Sequence, residues 1–175
     1  GNTVEVNSSI SFVVNAPVAI PPKPPNGGPG PTDGSNDSFT TNFKEIGRGG
    51  VGVSINKAEI AIINMTIYIE QPARNVKLTL KRVADLSQIP LVLDYDYQYI
   101  LPNVTNLDNS NIKNIVVWFK VRQSWFNSTF PKLDYKNMSF STYNNEAWLV
   151  WDMQYSHEDK NFYYYQTVGE ELALF

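Results

Sequence analysis

The sequence predicts an all-β fold, an antiparallel β-sandwich of immunoglobulin-like or jelly-roll-like type, preceded by a detached N-terminal strand and a Pro/Gly-rich linker. Short segments alternate apolar and polar residues, as strands with one buried face do. Turns rich in Pro, Gly and Asn separate these segments at near-regular intervals. Aromatic residues make up 13% of the chain, which also favours sheet. The best helical candidate, residues 82–89, is short, so we expect no substantial helix.

The segment from Asn111 to Phe126 is predicted to contain the central strand. Apolar residues recur at every second position, which places them on one face of a strand: Ile115, Val117, Phe119 and Val121. The opposite face begins apolar at Trp118 and ends charged at Lys120 and Arg122. This change is typical of a strand that leaves a two-sided core and emerges into water.

The remaining strands follow from the same alternation. They are predicted within residues 51–55, 60–69, 76–80, 91–99, 138–143, 147–156, 161–168 and 172–175. A change of face near Asn64 predicts a bulge or bend. Turns are expected at Pro72, Pro90, Pro102, 144–145 and 157–160, and the glycine-rich stretch 47–50 is interpreted as a hairpin or bulge.

The N-terminal region divides into a strand, residues 1–20, and a linker, residues 21–38, ahead of the sandwich at residues 39–175. Apolar positions alternate in the first segment at Val4, Val6, Ile10 and Phe12. Such a strand either folds back onto its own sandwich, belongs to a preceding domain, or inserts as a donor strand into a neighbouring subunit. An 18-residue linker stretched as polyproline reaches about 55 Å, far enough for subunit exchange.

Composition excludes several classes of function. The net charge of −3 disfavours nucleic acid, whose binding needs clustered Lys and Arg. The absence of cysteine excludes thiol catalysis, zinc–thiolate sites and iron–sulfur clusters. No apolar run approaches the ~20 residues of a membrane span, and no signal peptide is recognisable, so we expect a mature or excised chain.

An ordered series of residues in the sandwich region carries a family resemblance. The series is Val116, Phe119-Lys120-Val121, Ser124-Trp125, Phe140, Tyr143, Trp148, Glu158-Asp159, Phe162, Tyr164, Thr167 and Gly169. In these positions residues 39–175 resemble the PGF-pre-PGF domain, which lies near the C-termini of archaeal cell-surface proteins, ahead of their anchoring tail. The family's Pro-Gly-Phe near its end reads Val168-Gly169-Glu170 here, and the tail is missing. The resemblance implies an extracellular, S-layer-associated location.

Asparagine sequons point to the same location. They occur at Asn7, Asn36, Asn64, Asn103, Asn127 and Asn137. The chain has 19 Asn and 23 Ser plus Thr among its 175 residues, which would give about 2.5 sequons by chance. The excess predicts a glycosylated outer surface, with Asn103 and Asn127 best placed in loops, whereas an Asn-rich proteome is the alternative explanation.

The aromatic residues divide into a predicted core set and a predicted outer set. Trp125, Phe140, Trp148, Phe162 and Tyr164 are expected in the sandwich core. Trp118, Trp151, Tyr163 and Tyr165 alternate with them or with aliphatic neighbours, and are candidates for a sugar-stacking platform or a protein contact. The alternative is that neighbouring elements cover both faces.

Candidates for other chemistry are weak. Asp94 and Asp96 share one strand face and could act as paired carboxylates, but such a pair more often keeps an outer face wet. Asp33 and Asp37 are oxygen ligands suited to calcium, without EF-hand spacing. His157 is interpreted as an exposed turn residue. Apart from calcium at Asp33 and Asp37, no cofactor is expected.

These observations predict a non-enzymatic extracellular structural module of an archaeal cell-surface protein or surface filament. Its expected partners are other surface subunits, including copies of itself joined by strand exchange, and N-linked glycans. The alternative is a carbohydrate-binding or adhesion module that uses the exposed aromatic residues.

Overall fold

The computed structural model describes residues 9–14, 37–83, 96–144 and 147–169. Within these ranges, eleven strands form two antiparallel sheets packed face to face, accompanied by one short α-helix, so the predicted all-β sandwich is confirmed. The elements are β1 Ser9–Val14, β2 Ser38–Ile46, β3 Val51–Ser54, β4 Ile62–Ile69, β5 Ala73–Arg82, β6 Tyr99–Thr105, β7 Ile112–Arg122, α1 Gln123–Thr129, β8 Met138–Asn144, β9 Ala147–Trp151, β10 Met153–Glu158 and β11 Phe162–Gly169.

The two sheets differ in size. A six-stranded sheet has the order β2-β5-β6-β1-β8-β9, and a five-stranded sheet has the order β10-β11-β7-β4-β3. The predicted central strand is confirmed, because β7 lies in the middle of the five-stranded sheet. Its four alternating apolar residues, Ile115, Val117, Phe119 and Val121, are fully buried against the other sheet.

The strand β4 contains the predicted irregularity. Its register with β7 shifts between Ile62 and Asn64, which is the bulge expected near Asn64. The alternation predicted for 76–80 also holds, since Val76, Leu78 and Leu80 of β5 are buried.

The glycine-rich stretch 47–50 takes the chain from one sheet to the other. It connects β2 of the six-stranded sheet to β3 of the five-stranded sheet, so the prediction of a hairpin there is wrong. Gly49 and Gly50 have φ of 104° and 87°, a region that favours glycine. A Cβ at Gly50 would collide with the carbonyl oxygen of Ile67, so the turn also needs glycine for close packing.

The helix α1 was not expected from the sequence. Its seven residues bury Phe126, which contacts Phe130 one turn later with ring centres 5.6 Å apart. No side chain caps its N-terminus, and the Gln123 amide instead donates to the Asn161 carbonyl at 2.9 Å. A helix this short depends on tertiary packing rather than on its own propensity.

Three further boundaries differ from the predictions. Pro102 lies buried within β6 rather than in a turn, and none of the described residues of β1 pairs with it. The single strand predicted for 147–156 divides at Asp152 into β9 and β10, which belong to different sheets. Of the strand predicted for 91–99, residues 96–98 are not in a strand and Tyr99 begins β6, whereas residues 91–95 and the strand predicted for 172–175 lie outside the described ranges.

The N-terminal strand is not detached in this structure. The backbone of β1 lies between β6 and β8, antiparallel to both. Of the four residues predicted to form an exchange strand, Ile10 and Phe12 lie on β1, and Val4 and Val6 lie outside the described residues.

Candidate functional site

The position of β1 defines a slot, which we call the β1 slot: the facing edges of β6 and β8. Along β8 the register runs from Ser9 opposite Tyr143 to Val14 opposite Met138. On β6, Ile10 and Ser11 pair with Ile100 and Tyr99. Because β6 and β8 are not neighbours in the sheet, removing β1 would leave a gap of about two strand spacings, near 9.6 Å, bounded by two unpaired edges.

Hydroxylated and apolar side chains both lie along the walls of the β1 slot. On β8, Ser139, Ser141 and Thr142 are buried together with Met138 and Phe140, and Tyr99 of β6 is also buried. Among the described residues, the hydroxyls of Tyr99, Ser141 and Thr142 have no hydrogen-bond partner. The slot therefore offers backbone hydrogen bonds and neutral walls, which suit another strand and give no anchor for a charged ligand.

The rings of Tyr163 and Tyr165 lie in the core, so their prediction as outer aromatics is wrong. The register of β11 places them opposite Val121 and Phe119, whose side chains also point inward. Tyr165 is fully buried and stacks on Phe119 with ring centres 5.4 Å apart. Tyr163 stacks on Tyr135 at 4.4 Å.

Burial also determines the chemistry of Tyr165. Its hydroxyl donates a 2.8 Å hydrogen bond to the carbonyl of Tyr135. Desolvation raises the pKa of Tyr165 well above its ordinary value, so the phenol stays neutral. Tyr165 therefore acts as a buried hydrogen-bond donor to the backbone of Tyr135.

Trp151 is half-buried at the border of the core. Its ring contacts Phe140, with centres 5.2 Å apart, and covers Gly169 of β11. A Cβ at position 169 would fall inside the indole ring, which gives Gly169 its structural role. Because its ring packs between the sheets, Trp151 does not form an open platform as predicted.

The predicted core set is confirmed only in part. Phe140 is fully buried, and Trp125 packs against the core, forming an edge contact with Tyr97 at 4.8 Å. Trp148 is half-buried between Tyr99 and Tyr143. Phe162 and Tyr164 lie on the outer face of the five-stranded sheet, opposite to the prediction, because they alternate with the buried tyrosines.

The outer face of the five-stranded sheet is the second candidate surface, and Trp118 lies at its middle. Trp118 is half-exposed, with Asn64 of β4 and Gln166 of β11 as its register partners. Val168 on the same face is 52% exposed. Of the four residues predicted for a sugar-stacking or contact surface, Trp118 is the one whose outward placement agrees with the prediction.

Cations and rings cluster beside Trp118 on this outer face. The Lys120 ammonium lies 4.8 Å from the centre of the Phe162 ring, and the Arg122 guanidinium lies 5.3 Å from it. His157 stacks parallel on Tyr164 at 4.4 Å. His157 is exposed as predicted, but it lies on β10 rather than in the turn.

The turn between β10 and β11 is organised by Asp159. Its carboxylate accepts hydrogen bonds from the amides of Asn161 and Phe162 and from the Tyr164 hydroxyl, at 2.7 to 2.8 Å. The amide of Asn161 and the hydroxyl of Tyr164 contribute most to lowering the pKa of Asp159. The side chain of Gln123 ties the same turn to α1 by donating to the Asp159 carbonyl.

The lowered pKa of Asp159 predicts an acid-sensitive hairpin. A carboxyl whose pKa is lower in the folded than in the unfolded state stabilises the fold above its unfolded pKa, and this contribution is lost as the pH falls through the folded pKa. The melting temperature of Asp159→Asn should therefore lie below wild type at pH 7, and the gap should close on acidification. Tyr164→Phe, which removes one of the three donors, should show a smaller gap; a constant gap for Asp159→Asn from pH 7 to pH 2 would mean that the carboxylate does not stabilise this turn.

The other ionisable candidates are placed in structural roles or lie beyond the described residues. Asp37 faces Arg82, with Oδ1 and Nη1 3.9 Å apart, and accepts the Arg82 amide at its carbonyl. Arg82 also pairs with Glu59 at 3.6 Å. Asp96 is half-buried, whereas Asp33 and Asp94 are outside the described ranges. Among the described residues no three His, Asp or Glu side chains cluster as a metal site would require.

The best-formed recess among the described residues is too small for a ligand. It lies beside Glu59, Tyr97, Lys120 and Phe162 and has a volume of about 10 Å³. That volume holds about one water molecule, whereas small-molecule sites measure about 300–1,000 Å³.

The described sequons lie at the surface to different degrees. Asn103, Asn127 and Asn137 are exposed, and Asn64 is half-exposed. Asn103 lies on β6 rather than in the predicted loop, and Asn127 lies in α1, where its Oδ1 accepts from the Tyr163 hydroxyl at 3.4 Å. Asn7 and Asn36 are outside the described residues.

No family model, curated protein or solved structure matches the chain. In the described part of the chain, no helix is long and apolar enough to cross a membrane, since α1 has only seven residues.

Proposed function

We propose that this chain is a non-enzymatic structural module of an archaeal cell surface, and that it joins neighbouring copies by exchanging β1. The observation that carries the proposal is the interior position of β1 between β6 and β8. A strand at this position completes the sheet whichever chain supplies it. The archaeal, extracellular part rests on the resemblance to PGF-pre-PGF domains and on the number of sequons.

The connection between β1 and β2 is much longer than closure within one chain requires. The register places the end of β1 and the start of β2 roughly 20–25 Å apart, across three strand spacings and about five residues along the sheet. The 23 residues between Val14 and Ser38 span up to about 80 Å when extended. The same β1 can therefore reach either its own slot or that of an adjacent copy.

Concentration decides which slot is filled. A tether of this length would hold β1 at an effective concentration in the millimolar range around its own slot. Dilute chains therefore close on themselves, whereas chains packed on a surface at millimolar local density exchange strands.

The remaining surface fits a spacer in an extracellular lattice. The exposed sequons Asn103, Asn127 and Asn137 lie outside the core, so attached glycans would face solvent. The core is one continuous cluster that includes a row of rings, with Phe119 between Tyr165 and Phe140.

An engineered disulfide between β1 and β8 tests the exchange. Ser11 and Ser141 are register partners, and the chain contains no other cysteine when both are substituted. The Ser11→Cys, Ser141→Cys double variant should oxidise to closed monomers at micromolar concentration. At millimolar concentration it should give a ladder of disulfide-linked oligomers on non-reducing gels.

Each single-cysteine variant serves as the control, because a chain with one thiol can form disulfide-linked dimers but no larger oligomers. Closed monomers at every concentration would refute exchange between copies and leave β1 as an ordinary internal strand. Non-specific oxidation would show itself as dimers of each single variant, joined through the one cysteine that it contains.

A carbohydrate-binding or adhesion module is the second candidate function. It is favoured by the outward Trp118 with Phe162, Tyr164 and two cations nearby. Trp151, Tyr163 and Tyr165 no longer support it, because they pack in or against the core.

A further inference from the structure

The sequon at Asn64 stands directly beside Trp118. Asn64 on β4 and Trp118 on β7 are register partners, and paired side chains on one face have Cβ atoms about 4.5–5.5 Å apart. Met65 is fully buried, so Asn64 and Thr66, which flank it, point to the outer face. The acceptor amide and the indole therefore share one patch of surface.

This patch combines apolar and small polar side chains and is partly exposed to solvent. Below Trp118, the next row of the face carries Thr66, Val116 and Val168 as successive register partners. Val168 is 52% exposed, and Val116 is half-exposed. An attached sugar can cover such a row without a partner protein, because a pyranose ring has an apolar face of aromatic dimensions.

The other described strand sequon has different surroundings. Asn103 on β6 is outward and exposed, but its register partner on β5 is Thr79. The chain therefore offers a matched pair: two sequons on strands, one beside an indole and one beside a hydroxyl.

We propose that Asn64 carries an N-linked glycan whose first sugar stacks on Trp118 and covers the outer face of the five-stranded sheet. The inference rests on the extracellular location proposed above. In the modification, Nδ2 of Asn64 attacks C1 of a lipid-phosphate-linked oligosaccharide. The C1–N bond forms, the C1–O bond to phosphate breaks, the amide loses one proton, and the lipid phosphate leaves.

The position of Asn64 in the sheet also sets the timing of this modification. Asn64 pairs with Ser54 on β3 and with Trp118 on β7, so its backbone is enclosed on both sides once the sheet forms. An oligosaccharyltransferase needs access to the peptide around the acceptor, so glycosylation at Asn64 precedes completion of the sheet. The glycan then stabilises the sheet by lying on Trp118.

The test is secretion of the full chain from a host that modifies Asn-X-Ser/Thr, with site occupancy measured by glycopeptide mass spectrometry. Wild type, Asn64→Gln, Trp118→Ala and the double variant are compared by thermal melting. Loss of the Asn64 glycan should lower the melting temperature by about 2–4 °C in the wild-type background. In the Trp118→Ala background the same loss should lower the melting temperature by less than about 1 °C. Trp118→Tyr, which keeps a ring, should restore most of the effect, and Asn103→Gln should show no dependence on residue 118.

Four outcomes would overturn the inference. If Asn103 is occupied and Asn64 is bare, the Asn64 site is wrong while the surface location stands. If every sequon is bare, both the inference and the extracellular proposal lose their support. Equal stabilisation by the Asn64 glycan with and without Trp118 would exclude stacking. Binding of soluble oligosaccharides to the unglycosylated chain, lost in Trp118→Ala, would assign the face to an external sugar.

Discussion

Deletion of residues 1–14 is expected to abolish cooperative unfolding of the sandwich. Without β1, the six-stranded sheet separates into β2-β5-β6 and β8-β9, and both new edges expose backbone groups beside buried hydroxyls. The lost strand pairing and the opened core should together cost several kcal/mol, a large part of the ~5–15 kcal/mol by which domains are stable. The full chain should show one sharp transition in thermal and urea melts, and the deletion should show a broad one or none.

A peptide that supplies β1 should reverse the loss. Residues 5–18 added in excess to the deletion variant are expected to restore the sharp transition, with a midpoint that rises with peptide concentration. A peptide of the same composition in scrambled order is the control. A deletion variant that melts like the full chain would show that β1 is not part of the sheet, and strand exchange would then have no slot to fill.

The variant Phe119→Ala is expected to be the most damaging single substitution in the core. The Phe119 side chain is fully buried, and its ring lies between Tyr165 at 5.4 Å and Phe140 at 5.5 Å. The central position in β7 limits how far the surroundings can collapse into the cavity, so the loss should be about 3–5 kcal/mol. Urea denaturation of wild type and variant gives this difference directly.

Lys120→Ala is the matched control one residue along the same strand. Its side chain points to the outer face, where its contact with Phe162 contributes at most about 1 kcal/mol. The two variants should therefore differ severalfold in stability loss. Similar losses would mean that the assignment of the two faces of β7 is wrong.

Local pattern was sufficient for the elements with one consistently apolar face. In β5 and the second half of β7 the buried residues alternate with Lys, Arg or Thr, so a single register satisfies burial, and the faces could be assigned without the fold. The bulge near Asn64 was visible for the same reason, since the apolar alternation changes face there.

The outer and inner rings of β11 could not be assigned in this way. Four aromatic residues follow one another from Phe162 to Tyr165, so either face offers the same apolar area. The pairing of Tyr165 with Phe119 and Tyr163 with Val121 settles the choice, because β7 is already oriented. This register places Tyr163 and Tyr165 in the core and Phe162 and Tyr164 on the outer face, the reverse of the prediction. Trp118 remains on the outer face as predicted.

The sequence by itself determined the class of fold, the central strand and the sequons, because these follow from spacing along the chain. Only the tertiary structure decided where the chain crosses between sheets, that Gln123–Thr129 forms a helix that buries Phe126, and that Asn64 lies beside Trp118. It also placed β1 between β6 and β8. These are contacts between segments distant in sequence, whose energies depend on register and packing rather than on the pattern of any one segment.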